Sequence, residues 1–371
     1  MFRILHSIHE VSAPQWDALH DGQVFVRHAF LAALEDSGSV GGASGWTPAY
    51  ASLWQDDQLI AAAPLYAKSH SWGEYVFDWA WAEAYTRHGL AYYPKWLCAV
   101  PFSPVPGARL LARDAAHRAA LLQAMLAHAE RSGYSSLHLL FPDRSSLDAG
   151  LAQALLQRSS VQFHWHNQGY ASFDAFLATL SHDKRKKIKQ ERRKVAEAGV
   201  RIEVLEGRQI TPEHWRYFHR CHRNTYALHG GRPYLNEDFF QRLGQALPEH
   251  CVLLLAQRDE SNVACSLLLR DEQQLYGRYW GATEAISCLH FEACYYRPIE
   301  YAIDQQLLRF EGGAQGEHKL ARGLDPVSTH SLHWIAEPRF REAIADFLQR
   351  EASGISQYVD ELNEHSAYRN S

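Results

Sequence analysis

Two stretches of this chain carry the same order of hydrophobic patterns, and that repeat limits the fold more than any other feature. In the first, YASLWQDDQLIAAAPLYAKSH (50–70) reads as two extended runs joined by a polar turn at Gln55–Gln58, a hairpin. EYVFDWAW (74–81) reads as a third strand. Next, Leu121, Leu122, Met125, Leu126 and Ala129 recur at helical spacing, Gly133 stops that helix, and Leu137 to Phe141 read as a strand. In the second stretch, CVLLLAQRDESNVACSLLLRDEQQLYGRYWG (251–281) is again strand, polar turn, strand, turn, strand. FEACYYRPIEYAIDQQLLRFEGG (291–313) then gives helix and strand. DDQLIAAAPL lies over ESNVACSLLL without a gap. The repeat predicts two copies of one mixed α/β unit: an antiparallel meander, a helix, and a further strand.

The length of 371 residues agrees, because single cores usually stop growing below that size. Each unit takes roughly 150 residues. The expected division is 1–165, a connecting helix over 166–200, a second unit over 201–337, and a helical tail over 338–371. In the tail, Phe340, Ile344, Phe347, Leu348, Ile355, Val359 and Leu362 form the apolar pattern.

The connecting helix, LSHDKRKKIKQERRKVAEAGV, has Ser181 to cap it and Gly199 to end it. From 184 to 194 it carries Lys184, Arg185, Lys186, Lys187, Lys189, Arg192, Arg193 and Lys194 against one acid, Glu191, a local charge of +7. Leu177, Leu180, Ile188 and Val195 make a thin apolar stripe. Such a run is either a solvated face or a contact for phosphates, of tRNA or of an anionic membrane face. The whole chain has net charge −5 and is not built to coat nucleic acid.

The six cysteines form no C-x-x-C pair and read as buried, reduced thiols. The N-terminus lacks the apolar core of a signal peptide, and no apolar run reaches membrane-spanning length. The expectation is a cytoplasmic protein, with peripheral contact at the inner membrane face left open. His219, His222 and His229 in HRCHRNTYALH lack an acidic companion, so ordinary helix residues are expected there rather than a metal site.

Three segments concentrate chemistry. FEGGAQGEHKLARG (310–323) gathers Glu317, His318, Lys319 and Arg322 on a glycine-rich backbone suited to holding an anion or a reacting carbonyl. LYGRYWG places Arg278 at the end of a strand that runs past that loop, and Glu292 in LHFEACYY opens the main helix of the second unit. GEYVFDWAWAEAYTRHG sets Glu74, Asp78 and Arg87 among aromatics that include Trp79 and Tyr85. Read as a strand, it puts Glu74 and Asp78 on one face of a cleft for an amine or a sugar-peptide. The bland reading is a polar strand face in water and a Glu83–Arg87 helix pair.

These residues, with SHSWGEYVFDWAWAEAYTRHGLAYYPK, AVPFSPVPGARLL, DKRKKIKQERRKVAEAGV, LYGRYWGA, LHFEACYY and GAQGEHKLARG, resemble the FemAB-like proteins. The narrower likeness is to the bacterial branch labelled peptidoglycan biosynthesis/recognition. The resemblance implies two tandem GNAT-like acyltransferase domains with a basic connecting helix and a C-terminal helix. It also implies transfer of an amino acid from aminoacyl-tRNA to an amine of a peptidoglycan precursor. Lys319 stands where similar enzymes carry a lysine that holds the acyl oxygen or a donor phosphate. Acyl transfer to an amine is mainly positioning, oxyanion stabilisation and proton removal. Glu317 or His318 would take the proton, and Arg322 and Arg278 would support an anion.

CoA-dependent members of that fold hold pyrophosphate on a basic, glycine-rich loop before the main helix. Here the place holds GATEAISCLHFE, without a glycine run or any Arg or Lys, a poor pyrophosphate cradle. The expected donor is therefore aminoacyl-tRNA ahead of acyl-CoA, with no bound cofactor. The competing readings are a CoA-dependent N-acyltransferase and a non-catalytic module that recognises cell-wall fragments.

Overall fold

The computed structural model describes residues 1–228, 230–313 and 316–369. Its strands, in chain order, begin with β1 (Phe2–Leu5), β2 (Trp46–Pro48), β3 (Tyr50–Gln55), β4 (Gln58–Ala63), β5 (Leu65–Lys68), β6 (Lys95–Cys98), β7 (Leu111–Ala112) and β8 (Ser136–Leu140). They continue with β9 (Leu156–His166), β10 (Arg201–Glu206), β11 (Cys251–Arg258), β12 (Ser261–Arg270), β13 (Gln274–Ala282), β14 (Arg309–Glu311) and β15 (Asp325–Ile335).

The chain forms two units. Unit 1 is Met1–Ser160 with Ser328–Gln357, and unit 2 is Val161–Val327 with Tyr358–Ser371. The expected boundaries are corrected accordingly. The basic helix, His182–Glu197, lies inside unit 2 and is no connector, because its buried Ile188, Glu191 and Val195 pack there. Residues 328–337 belong to unit 1, because β15 pairs with β8 from Ser331↔Leu140 to Ile335↔Ser136. The terminal helix, Pro338–Glu364, is shared between the units.

The repeat holds as topology. In unit 2, β10, β11, β12 and β13 form an antiparallel meander; a helical segment from Leu289 to Asp304 crosses over, and β14 returns parallel to β13. In unit 1, β5 and β6 are antiparallel, the Ala115–Ser132 helix crosses over, and β8 returns parallel to β6. The β3–β4 hairpin turns at Asp56 and Asp57, both in left-handed backbone. Pro64 cannot donate to a ladder, and there the long run 58–68 splits into β4 and β5, which join different sheets.

One face of the unit 1 sheet is apolar: Leu121, Leu122, Met125 and Ala129 of the crossover helix pack on Leu65, Trp96, Cys98, Leu137, Leu139 and Leu332. The alternate residues of the same strands form a buried polar row, Lys68, Lys95, Ser136, His138, Ser331 and His333. The EYVFDWAW segment covers that row and is not the expected third strand. Gly73 and Tyr75 have φ of +81° and +63°, which breaks extended backbone, and a helix begins at Trp79 and runs to Arg87. In unit 2, the Pro212–Leu228 helix crosses β13 so closely that a Cβ on Gly281 would fall 2.2 Å from the Cys221 carbonyl oxygen.

Candidate active site

Within unit 2, β13 and β14 pair only at Gln274↔Arg309, Leu275↔Phe310 and Tyr276↔Glu311. Past Glu311 they part. β13 runs on to Ala282, while the chain after β14 turns into Gly312 and Gly313. A crevice at the carboxyl end of parting parallel strands is a common place for a ligand. Opposite it, the β12–β13 register jumps from Leu268↔Gly277 to Leu267↔Tyr279, which leaves Arg278 as the extra residue of a β-bulge. Gly312 is closely packed: a Cβ there would sit 2.4 Å from Leu324 Cδ2 and 3.3 Å from the Phe163 carbonyl oxygen.

A short 3-10 helix, Glu317–Arg322, follows and carries all four residues singled out in the sequence. Lys319 is 4% exposed. Its Nζ donates to the Gly313 carbonyl oxygen at 3.0 Å and lies 5.7 Å from the centre of the Phe163 ring. Burial pushes its pKa down to about 8, against a small opposing pull from Cys294. His318 is exposed, and its Nε2 sits 3.1 Å from the Tyr295 hydroxyl. Burial of its ring, then Arg322 and Lys319, lower its pKa, so the imidazole is neutral at pH 7. Lysine and histidine thus differ in role by environment: at pH 7 one is still an ammonium, the other a free base.

Glu317 and Arg322 do not join them. Glu317 is exposed and accepts from the Tyr358 hydroxyl at 2.8 Å. Arg322 is 3% exposed, and its Nη2 donates to both carboxylate oxygens of Glu191 at 3.1 and 3.0 Å. Its Nη1 donates to the His318 carbonyl oxygen at 2.6 Å, and its guanidinium lies 3.6 Å from the centre of the Phe291 ring. The expected anion contact is therefore a buried clamp between the basic helix and the 3-10 helix. Glu292 is likewise engaged: it accepts from Arg192 Nε at 3.1 Å, and burial raises its pKa while Arg192 opposes.

The basic helix accordingly has two kinds of cation. Arg192 bridges Glu292 and Glu300, Lys189 lies 3.4 Å from Asp174, and Arg193 lies 3.6 Å from Glu197. Among the described residues, Lys184, Arg185, Lys186, Lys187 and Lys194 form no ion pair.

Three residues beside the crevice were not singled out from sequence: His290, Cys294 and Tyr295. Residues 292–296 form a π turn, which brings positions five apart onto one face. His290 and Tyr295 meet there with ring centres 5.6 Å apart, and Trp280 of β13 lies 5.4 Å from His290. Burial, then His318, Arg322 and Lys319, push His290 down to about 4. An ordinary helical reading pairs i with i+4 and misses this register.

The remaining predicted residues lie in unit 1. Glu74 and Asp78 are 3% exposed and converge on Lys95: Nζ donates to Glu74 at 2.8 Å, to Ser71 at 2.8 Å, and to Asp78. The amine they were expected to bind is the chain's own lysine. Burial raises Glu74 to about 7, while Lys95 and His138 overcome burial and hold Asp78 low. Tyr85 is buried in a cluster with Trp81, Tyr92, Ile335, Ile344 and Leu348. Arg87 forms the expected pair with Glu83, at 3.9 Å on an exposed face. Trp79 is 39% exposed.

His219 lies 3.6 Å from Glu237, His222 is buried among rings, and His229 is outside the described residues. Among the described residues, no group of three or more His, Cys, Asp and Glu side chains is placed to hold a metal ion.

Two α/β units, each a meander closed by a crossover helix and a parallel strand, with a glycine-rich crevice in the second, define a tandem GNAT-like protein. The chain belongs to the FemAB-like family, peptidoglycan biosynthesis/recognition, whose profile matches residues 7–370. Among solved structures it is similar to FemX, at 11% identity and a TM-score of 0.56 over 90% of this chain and 98% of that one. It is also similar to L-PGS from Bacillus licheniformis, at 11% identity and a TM-score of 0.52 over 87% and 95%. At these identities the likeness is one of fold. No curated protein sequence matches the chain. Among the described residues no helix is long and apolar enough to cross a membrane.

Proposed function

We propose that this protein transfers an activated acyl or aminoacyl group to an amine on a peptide, peptidoglycan precursor or small metabolite, and that unit 2 does the chemistry. The observation that carries the reading is Lys319, a buried ammonium tethered to the Gly313 carbonyl where β13 and β14 part. The acceptor nitrogen attacks the donor carbonyl carbon and a C–N bond forms. Lys319 stabilises the tetrahedral oxyanion and neutral His318 takes the proton from the attacking nitrogen; as the tetrahedral centre collapses the donor C–O bond breaks, and His318 returns that proton to the departing oxygen, which leaves as a hydroxyl on the donor. The favoured donor is aminoacyl-tRNA, with Lys184, Arg185, Lys186, Lys187 and Lys194 meeting its phosphates.

The test uses purified full-length protein, bulk tRNA charged with labelled amino acids, and amine-bearing muropeptides. Lys319→Met should lower turnover by roughly 100-fold, the effect of losing an oxyanion donor, with folding intact. Lys186→Glu/Lys187→Glu should weaken salt-sensitive tRNA binding without changing thermal stability. Unchanged turnover in the lysine variant removes Lys319 from the mechanism. Binding indifferent to the charge reversal leaves the basic helix a solvated face and turns the search to acyl-CoA donors, for which acetyl-CoA competition is the readout.

A further inference from the structure

The loop that follows β5 in unit 1 sorts its side chains by polarity. Between Ser71 and Ala80 the inward polar residues are Ser71, Glu74 and Asp78, each buried. The outward ones are Trp72, Tyr75, Phe77 and Trp79, with relative exposures of 58, 36, 61 and 39%. Both acids of the segment are drawn under it by Lys95. Its outer surface therefore carries four aromatic rings and no charged side chain. The next charges along the chain, Glu83 and Arg87, stand on the following helix and pair with each other.

The display is held firmly from beneath. The Trp72 carbonyl oxygen accepts from Trp46 Nε1 at 3.2 Å and from Lys68 Nζ at 3.3 Å. The Phe77 carbonyl oxygen accepts from Arg158 Nη1 at 2.6 Å, and Arg158 is fixed in turn by Glu351 through two bonds of 2.7 Å. Tyr75 sits in left-handed backbone, a conformation that a bulky residue seldom adopts without a reason in the surrounding structure.

We infer that this loop is a membrane-interface anchor, seating Trp72, Tyr75, Phe77 and Trp79 in the headgroup region of a lipid bilayer. Aromatic rings favour that region, where apolar bodies leave water and polar tips stay wet. Turning both acids inward removes the repulsion that anionic headgroups would exert on them. A sugar is the other familiar partner of exposed rings, but it requires polar side chains beside the ring to meet its hydroxyls. Here those side chains point the other way. Trp72 and Trp79 also meet at 60° with centres 5.0 Å apart, so they do not offer one stacking plane. The inference is independent of the transfer chemistry in unit 2.

The test is co-sedimentation of the full-length protein with vesicles of phosphatidylethanolamine and phosphatidylglycerol, and of phosphatidylcholine alone, at low salt and at 0.5 M salt. Binding to both is expected, with a blue shift of tryptophan emission that survives the salt. Trp72→Ser/Phe77→Ser/Trp79→Ser should lower the partition coefficient at least tenfold with the melting temperature unchanged, since all three side chains are exposed. Lys186→Glu/Lys187→Glu should bind like the native chain. Absence of vesicle binding, or binding indifferent to the triple serine change, overturns the anchor. So does binding lost to salt and to the charge reversal, which would be simple adsorption of the basic helix. An emission change caused by soluble N-acetylglucosamine oligomers without vesicle binding overturns it in favour of a sugar.

Discussion

Lys319 is the residue on which the proposed chemistry and the fold pull in opposite directions. Its folded pKa is about 8 and its ordinary value 10.5. Below pH 8 both the folded and unfolded chains carry the proton, and the fold bears the full cost of a buried ammonium, about 3 kcal/mol. Between pH 8 and 10.5 the unfolded chain binds more protons than the folded one, so this cost fades as pH rises. Lys319→Met should therefore be more stable than the native protein at pH 7, by up to that amount, and the gap should close across that window in urea denaturation. A gap that is flat with pH would mean the ammonium is not strained. Turnover should show the complementary profile. It rises as His318 loses its proton below pH 6.5 and falls above about pH 8 as Lys319 loses its own. Lys319→Arg should carry activity past the upper limb, because a guanidinium does not titrate there. The cluster in 317–322 was legible in sequence, but the division of labour inside it was not. Nothing in EHKLAR says that Arg322 is held by Glu191, a residue more than a hundred positions away.

At the scale of elements, the basic helix shows how far a charge run can mislead. Its buried acid, Glu191, is tightly held: it binds Arg322 and accepts from the Tyr296 hydroxyl. Removing one partner of such a buried pair costs about 3–5 kcal/mol, because the other charge is left without compensation. Arg322→Met is expected to destabilise the protein by that much. Arg322→Met/Glu191→Leu should recover most of the loss, as measured by the urea midpoint of each variant. If the double change recovers nothing, the clamp contributes through packing on Phe291 and not through charge. The β11–β13 meander was readable because its apolar runs are long and end at turn residues. The loop over 69–78 was not, although it alternates like a strand. Its alternation serves two buried lysines, Lys68 and Lys95, that only the sheet register brings side by side. The π turn at 292–296 was hidden for a similar reason, since pattern reading assumes an α-helical period.

At the scale of the whole molecule, the two-unit architecture could be read from the repeat, but the cuts between units could not. The obvious cut near residue 165 removes β15 and the first part of the terminal helix from unit 1. Leu332, Ile335, Ile344 and Leu348 of those elements belong to its buried clusters. A fragment of residues 1–165 should therefore fail to fold cooperatively, with no sharp thermal transition by circular dichroism and poor amide dispersion by NMR. A well-folded fragment would show that the closing strand is dispensable. Sequence periodicity reports on neighbours along the chain, so it could not show which segment from the far end would complete the sheet.

That interlaced connectivity also has a consequence for how the protein is made. The β8 edge must wait for β15, whose Ser331 pairs with Leu140 about 190 residues later. At translation speeds of 5–20 residues per second, that is roughly 10–40 s during which one edge of a short strand, all of whose residues are buried in the finished fold, stands open on the ribosome. Unit 2 is also unfinished until the residues after Tyr358 emerge. Neither half can be banked early, and the nascent chain is a natural client for chaperones that shield unpaired strands until synthesis ends.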